Sequence, residues 1–284
     1  MRRGARSLRL VTGISSVAPA GPDPWRSGFL QVTGGRLAYH RTGGEGPALV
    51  LCHGLTDNGL CWSRLAAVLA PEFDVVMLDA RGHGGSSRIC IGEPYEAGTD
   101  IAEAIDRLGL KAPFVMGHSV GARAAADFAA ACPAGVSKVI LEDPPFLPLA
   151  EKAAAEARRE KFRRQVDQFQ SMSETDITAM GKASSPLWHE VDLPAWAAAK
   201  KQVDPEAFPL YAARWQDAVA RITAPTLLIY GEADQGGIVT PDMAEEACSL
   251  NPKISAVQIR GAGHNIRREN FPDLLSAVRT FLRA

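Results

Sequence analysis

With 284 residues, 46% hydrophobic and 22% charged, the chain has ordinary globular composition and is long enough to bury a full core. A formal net charge of -1 excludes the basic excess of a nucleic-acid binder and the acidic excess of a solvating tail, so the expected partner is a small neutral or apolar molecule. The five cysteines (Cys52, Cys61, Cys90, Cys132, Cys248) are odd in number and scattered, which excludes a disulfide framework or a zinc site and fits free thiols in a reducing cytoplasm.

Residues 1–27 read as a flexible leader rich in Gly, Pro and Arg. Ala18-Pro19-Ala20 imitates a cleavage site, but Arg9 interrupts the apolar run that a signal peptide needs. No stretch approaches the roughly 20 apolar residues required to cross a bilayer. Residues 29–32 and 36–40 are predicted strands joined by Thr33-Gly34-Gly35. The apolar run 48–52 ends in His53-Gly54 and reads as a buried parallel strand. A helix over 60–69, a strand at 75–78, a helix over 101–108, a strand at 114–116, a helix over 120–131 and a strand at 139–141 follow. The last of these stops at Asp143-Pro144-Pro145, because proline cannot continue a ladder.

The rhythm breaks over 146–220, which shows no convincing strand. A helix is predicted over 149–172 with Phe162, Val166 and Phe169 on one face, followed by aromatics separated by prolines. This segment is expected to be an inserted helical cap between core segments 28–145 and 221–284. Strand 226–230, helix 241–250, strand 256–259 and helix 270–282 close the chain. The alternation predicts an α/β fold: a mostly parallel eight-stranded sheet flanked by helices, with its site beyond the carboxyl ends of the strands.

Two chemically suggestive residues fall at such ends. Gly117-His118-Ser119-Val120-Gly121 is a G-x-S-x-G pentapeptide between a predicted strand and a predicted helix. That context holds a serine above the sheet on a tight turn, with the positive end of the helix behind it. His264, in Gly261-Ala262-Gly263-His264-Asn265 after the last strand, is placed to reach the serine and to act as its general base.

These motifs, with His53-Gly54 and the turn from Asp79 to Ser86, resemble the α/β-hydrolase superfamily in its cap-bearing branch of small esterases and lactonases. The resemblance runs from Phe29 to the end of the chain. It implies Ser119 as nucleophile, His264 as base, and the backbone N–H groups of Leu55 and Val120 as an oxyanion hole. It leaves two positions for the triad acid. Gly231-Glu232-Ala233-Asp234 matches the turn after the seventh strand that many relatives use, though the loop then runs on through Gln235-Gly236-Gly237. Other relatives place the acid 24 positions after the nucleophile, at the end of the sixth strand, which here is Asp143. Asp143 is preferred and Asp234 is its rival.

The other histidines are given supporting parts. His53 buttresses the oxyanion loop, His83 packs beneath the site, and His118 points away from the base. No metal-ligand spacing or phosphate cradle occurs, and no cofactor is implied. Trp188, Trp196, Tyr211 and Trp215 are expected to roof a pocket for a mostly apolar substrate. The expected function is hydrolysis of a carboxylic ester, or of a lactone, through an acyl-enzyme. A C–C bond hydrolase or a haloperoxidase-type perhydrolase with the same triad is the alternative, and a hydrolase-fold ligand receptor is the non-enzyme one.

Overall fold

The computed structural model describes residues 25–90 and 95–284. The predicted leader therefore lies outside the described residues up to position 24, while Arg26 and Ser27 already belong to the first strand.

Eight strands form one sheet: β1 (Arg26–Val32), β2 (Gly35–Arg41), β3 (Ala48–Cys52), β4 (Asp74–Leu78), β5 (Phe114–His118), β6 (Lys138–Glu142), β7 (Thr226–Tyr230) and β8 (Ile254–Gln258). Their order is β1-β2-β4-β3-β5-β6-β7-β8. β1 and β2 form a hairpin in which Val32 faces Gly35, so only Thr33 and Gly34 make the turn. Gly34 adopts φ 77°, a conformation that disfavours any residue with a Cβ. β2 meets β4 antiparallel, and the strands from β4 to β8 run parallel.

The helices are α1 (Ser63–Leu69), α2 (Ala97–Arg107), α3 (Val120–Ala131), α4 (Lys152–Ser171), α5 (Glu174–Ser184), α6 (Leu193–Lys200), α7 (Trp215–Val219), α8 (Pro241–Leu250), α9 (Ile266–Glu269) and α10 (Phe271–Arg283). Strand alternation divides the core between the two faces of the sheet. Val50, Val76, Val115, Val139 and Leu141 pack with α2 and α3 on one side. Leu49, Leu51, Met77, Met116 and Ile140 pack with α1 and α10 on the other. The central strands are apolar between their ends because both faces are covered.

The segment 146–220 contains helices α4 to α7 and no strand. Phe169, Ile177, Leu193 and Trp196 form a small core of their own, and Phe162, Val166 and Val203 form another against Leu55. Polar ties fasten this segment to the sheet domain. Asp204 N–H donates to the Gly82 carbonyl at 2.7 Å, Asn58 Nδ2 to Gln202 Oε1 at 2.9 Å, and Arg64 meets Asp192 at 3.0 Å. Trp215 is a correction to the sequence reading. It is buried in the main core and stacks on Phe146 at 4.3 Å, so it roofs nothing. Among the described residues no helix is long and apolar enough to cross a membrane.

Candidate active site

Ser119 sits between β5 and α3 at φ 53° and ψ -124°, outside the regions an L-residue prefers. The two flanking glycines explain how the chain accepts this turn. A Cβ on Gly117 would stand 2.3 Å from the Gly121 carbonyl oxygen, and one on Gly121 would stand 2.3 Å from that of His53. Strand, turn and helix therefore close on each other at distances that admit no side chain.

Ser119 Oγ lies 3.1 Å from His264 Nε2, and His264 Nδ1–H donates to Asp143 Oδ2 at 2.6 Å. Donation from Nδ1 leaves Nε2 as the acceptor facing the serine hydroxyl. Asp143 is fully buried just past β6, at φ 42°. Its carboxylate also accepts the N–H groups of Ile238 (2.9 Å) and Val239 (3.0 Å). Both amides come from the extended loop that carries Asp234. Asp234 itself is exposed on a single 3-10 turn, Ala233–Gln235. The structure thus brings Ser119, His264 and Asp143 into one line and leaves Asp234 outside it.

The loop bearing His264 is held from several sides. Glu232 N–H donates to the Ala262 carbonyl and Gly261 N–H to Glu232 Oε2 at 2.8 Å. His118 Nε2–H donates to the His264 carbonyl at 2.9 Å, with the two rings 4.7 Å apart. This corrects the expectation that His118 points away. His53 Nδ1–H donates to the Gly54 carbonyl at 2.8 Å while its Nε2 accepts Ala80 N–H at 2.9 Å, which fixes the His53-Gly54 loop. Burial lowers the pKa of His53, takes that of His83 down to about 3, and holds that of His118 well below the ordinary histidine value.

A buried ionic cluster that the sequence did not suggest lies directly behind this line. Asp57 Oδ2 accepts from Arg267 (2.6 Å) and Arg268 (2.8 Å), and its Oδ1 from Lys200 (3.1 Å). Glu142 Oε1 accepts Arg267 N–H at 2.9 Å. Burial alone would raise the Asp57 carboxyl, but Arg268, Lys200 and Arg267 together carry it well below the ordinary range. Burial also raises Glu142, against the pull of Arg267.

Ser119 and His264 open on a cavity of about 670 Å³ beneath the 146–220 segment. Leu55, Val120, Trp188, Trp196 and Tyr211 line it, and Trp215 does not. Val120 is the first residue of α3, so its N–H has no intrahelical acceptor. The lining is mostly apolar but is interrupted by Lys200, Arg268 and Arg158, so the pocket is not the neutral one read from the sequence. Cys52 and Cys61 are buried thiols, pushed by desolvation up to about 12 and about 11.

A mostly parallel sheet that presents serine, histidine and aspartate on three strand-end loops defines an α/β protein of the hydrolase type. The chain belongs to the α/β-hydrolase family, whose pattern, described as the alpha/beta hydrolase fold, matches residues 47–270. It is 29% identical over 269 residues to an N-formylmaleamate deformylase of Pseudomonas putida, covering 90% of this chain and 96% of that one. It is 26% identical over 264 residues to a 2-(acetamidomethylene)succinate hydrolase of Mesorhizobium japonicum, covering 88% and 93%. A solved structure of E-2-(acetamidomethylene)succinate hydrolase superposes with a TM-score of 0.78 at 24% identity, over 92% of this chain and 100% of that one.

Proposed function

We propose that this chain hydrolyses a carboxylic acyl bond through an acyl-serine intermediate. The unbroken hydrogen-bonded line Ser119–His264–Asp143, with Ser119 and His264 lining the cavity, carries the reading. Ser119 Oγ attacks the acyl carbon and its proton passes to His264 Nε2. Asp143 holds the imidazole in the required tautomer and balances the imidazolium. The N–H groups of Leu55 and Val120 receive the oxyanion, a contribution of about 3 kcal/mol for each such donor. His264 then returns the proton to the leaving group, and water, activated by the same histidine, releases the acid.

Segment 146–220 serves as the lid, with Trp188, Trp196 and Tyr211 against the substrate. The free thiols suit a reducing compartment such as the cytoplasm. An ester or lactone is the reading from the motifs. A second reading, an N-acyl bond, draws on the two relatives that match over most of the chain, since both are named for N-acyl compounds. C–C hydrolysis and perhydrolysis would use the same three residues.

A panel of p-nitrophenyl esters, aryl lactones and N-formyl or N-acetyl amides, assayed with wild type beside Ser119→Ala, tests the proposal. Turnover with a pre-steady-state burst in the wild type, and a loss of about 10⁴-fold or more in the variant, is the expected result. Full turnover in Ser119→Ala would sink it.

A further inference from the structure

The cavity has one electrically distinct end. Of the side chains lining it, Arg158, Lys200 and Arg268 are cationic, and Asp57 is the one carboxylate among the described residues. Asp57 is already paired, with Lys200 on one oxygen and Arg267 and Arg268 on the other; Lys200 also donates to the Thr56 carbonyl oxygen and Oγ1 (2.8 and 2.9 Å), so it brings charge rather than a free donor. The cluster behind the wall therefore sets three cations against two carboxylates, Asp57 and Glu142.

The same end carries buried donors with nothing to donate to. Arg268 Nε–H and Trp188 Nε1–H are both inaccessible and find no partner among the described residues. The Arg268 guanidinium stands 4.7 Å over the Trp188 ring, and Lys200 Nζ stands 4.7 Å over Trp196, whose ring meets that of Trp188 edge-on at 5.4 Å. Two aromatic faces thus hold two cations in place beside the cavity. A buried donor without an acceptor costs about 1–3 kcal/mol. Surplus positive charge together with orphaned donors calls for a ligand that brings acceptor oxygens and one negative charge.

We propose that the Lys200–Arg268–Trp188 end of the cavity is a carboxylate subsite, so that the substrate is an acyl compound bearing a second, free carboxylate. This deepens the acyl-hydrolase reading, on which it rests for the identity of the scissile end. A monocarboxylate matches the surplus of a single charge, and a turn of the Arg268 and Trp188 side chains toward the cavity brings their unpartnered N–H groups to its oxygens. The apolar middle of the cavity, between Ser119 and Trp188, then takes the carbon chain that joins the two ends.

The test is a binding measurement that does not depend on turnover. Ser119→Ala protein is titrated calorimetrically with the monomethyl esters of succinate, glutarate, adipate and suberate, each beside its dimethyl ester. The pairs differ in one carboxylate and little else. At least one monomethyl ester is expected to bind about tenfold or more tightly than its neutral partner, the scale of one charged hydrogen bond. Arg268→Gln in the same background is expected to abolish that preference. Trp188→Phe, which removes the indole N–H and keeps an aromatic ring, is expected to reduce it several-fold and covers the case in which Arg268→Gln does not fold. Equal affinity within every pair, binding by none of the esters, or a preference untouched by both variants overturns the subsite. Preferential binding to a wild type that turns over no acyl compound would instead overturn the hydrolase reading and leave the subsite standing.

Discussion

His118 Nε2–H donates to the carbonyl oxygen of His264, so the residue before the serine is tied to the main chain of the residue whose ring reaches that serine. The bond joins two loops that also meet through the Ser119–His264 contact and the His118–His264 ring pair. Removing it frees the His264 loop to drift, and small misplacements of a reacting group cost large rate factors. His118→Ala is expected to lower kcat roughly 10–100-fold with little change in KM, as steady-state kinetics on the best substrate would show. An unchanged kcat would mean that the loop is positioned without His118.

The two candidate acids separate cleanly by substitution. Asp143 receives His264 and two backbone amides, whereas Asp234 is exposed. Asp143→Asn is expected to cost about 10⁴-fold in kcat, because it presents the wrong tautomer to the serine. Asp234→Asn is expected to stay within about twofold, as surface substitutions do. The reverse ranking would place the acid after β7.

Stability should fall with pH below the ordinary histidine range. His53, His83 and His118 are all held neutral by burial, so the unfolded chain takes up protons that the fold refuses. The contribution is fully present above pH 6.5 and is lost as pH falls, for His83 down to about 3. Between pH 7 and 5 His83 alone is expected to remove about 2 kcal/mol. Urea unfolding of wild type and His83→Gln at both pH values checks this. The stability lost between the two should be smaller in the variant by about that amount.

Gly121→Ala is expected to destabilise severely and to abolish turnover, since its Cβ would meet the His53 and Cys52 carbonyl oxygens at 2.3 and 2.4 Å. Gly109→Ala is the control. Gly109 has φ 66° but open space around its Cβ position, so the cost should be about 1–2 kcal/mol with activity kept. Thermal unfolding of the two variants distinguishes contact from conformation.

Trp215→Ala is expected to cost about 3–5 kcal/mol of stability, the usual range for emptying a buried aromatic site. Its stacking partner Phe146 would lose one face. KM should be unchanged in whatever fraction remains folded. A raised KM at normal stability would return Trp215 to the substrate.

Much of this was legible from local pattern. The strands, the serine turn and the loop after β8 each carry their signal within a few residues, and Asp143 was marked by the prolines that follow it. What escaped notice depends on partners far along the chain. Arg267 and Arg268 look like surface charges on a short polar stretch, and α9 is too short to show periodicity. They are buried because Asp57, 210 and 211 positions away, receives them. Lys200 is drawn inside by the same carboxylate from 143 positions away. The break in rhythm draws a boundary at 220 and gives no sign that Trp215 stacks on Phe146, which opens the same segment. The one local hint was Asp57, an acid three residues after Gly54 in a loop assigned to oxyanion binding.

The end of β6 grips the base-bearing loop twice with adjacent residues, Asp143 on the His264 ring and Glu142 on the Arg267 main chain. The loop after β7 meets Asp143 with two amides, from Ile238 and Val239, and the His264 loop with Glu232. A carboxylate placed instead on the turn at 234 would leave the Ile238 and Val239 amides and the His264 ring without the acceptor that Asp143 supplies. Position 143 is therefore a junction at which three loops meet, and a substitution there is felt by all of them.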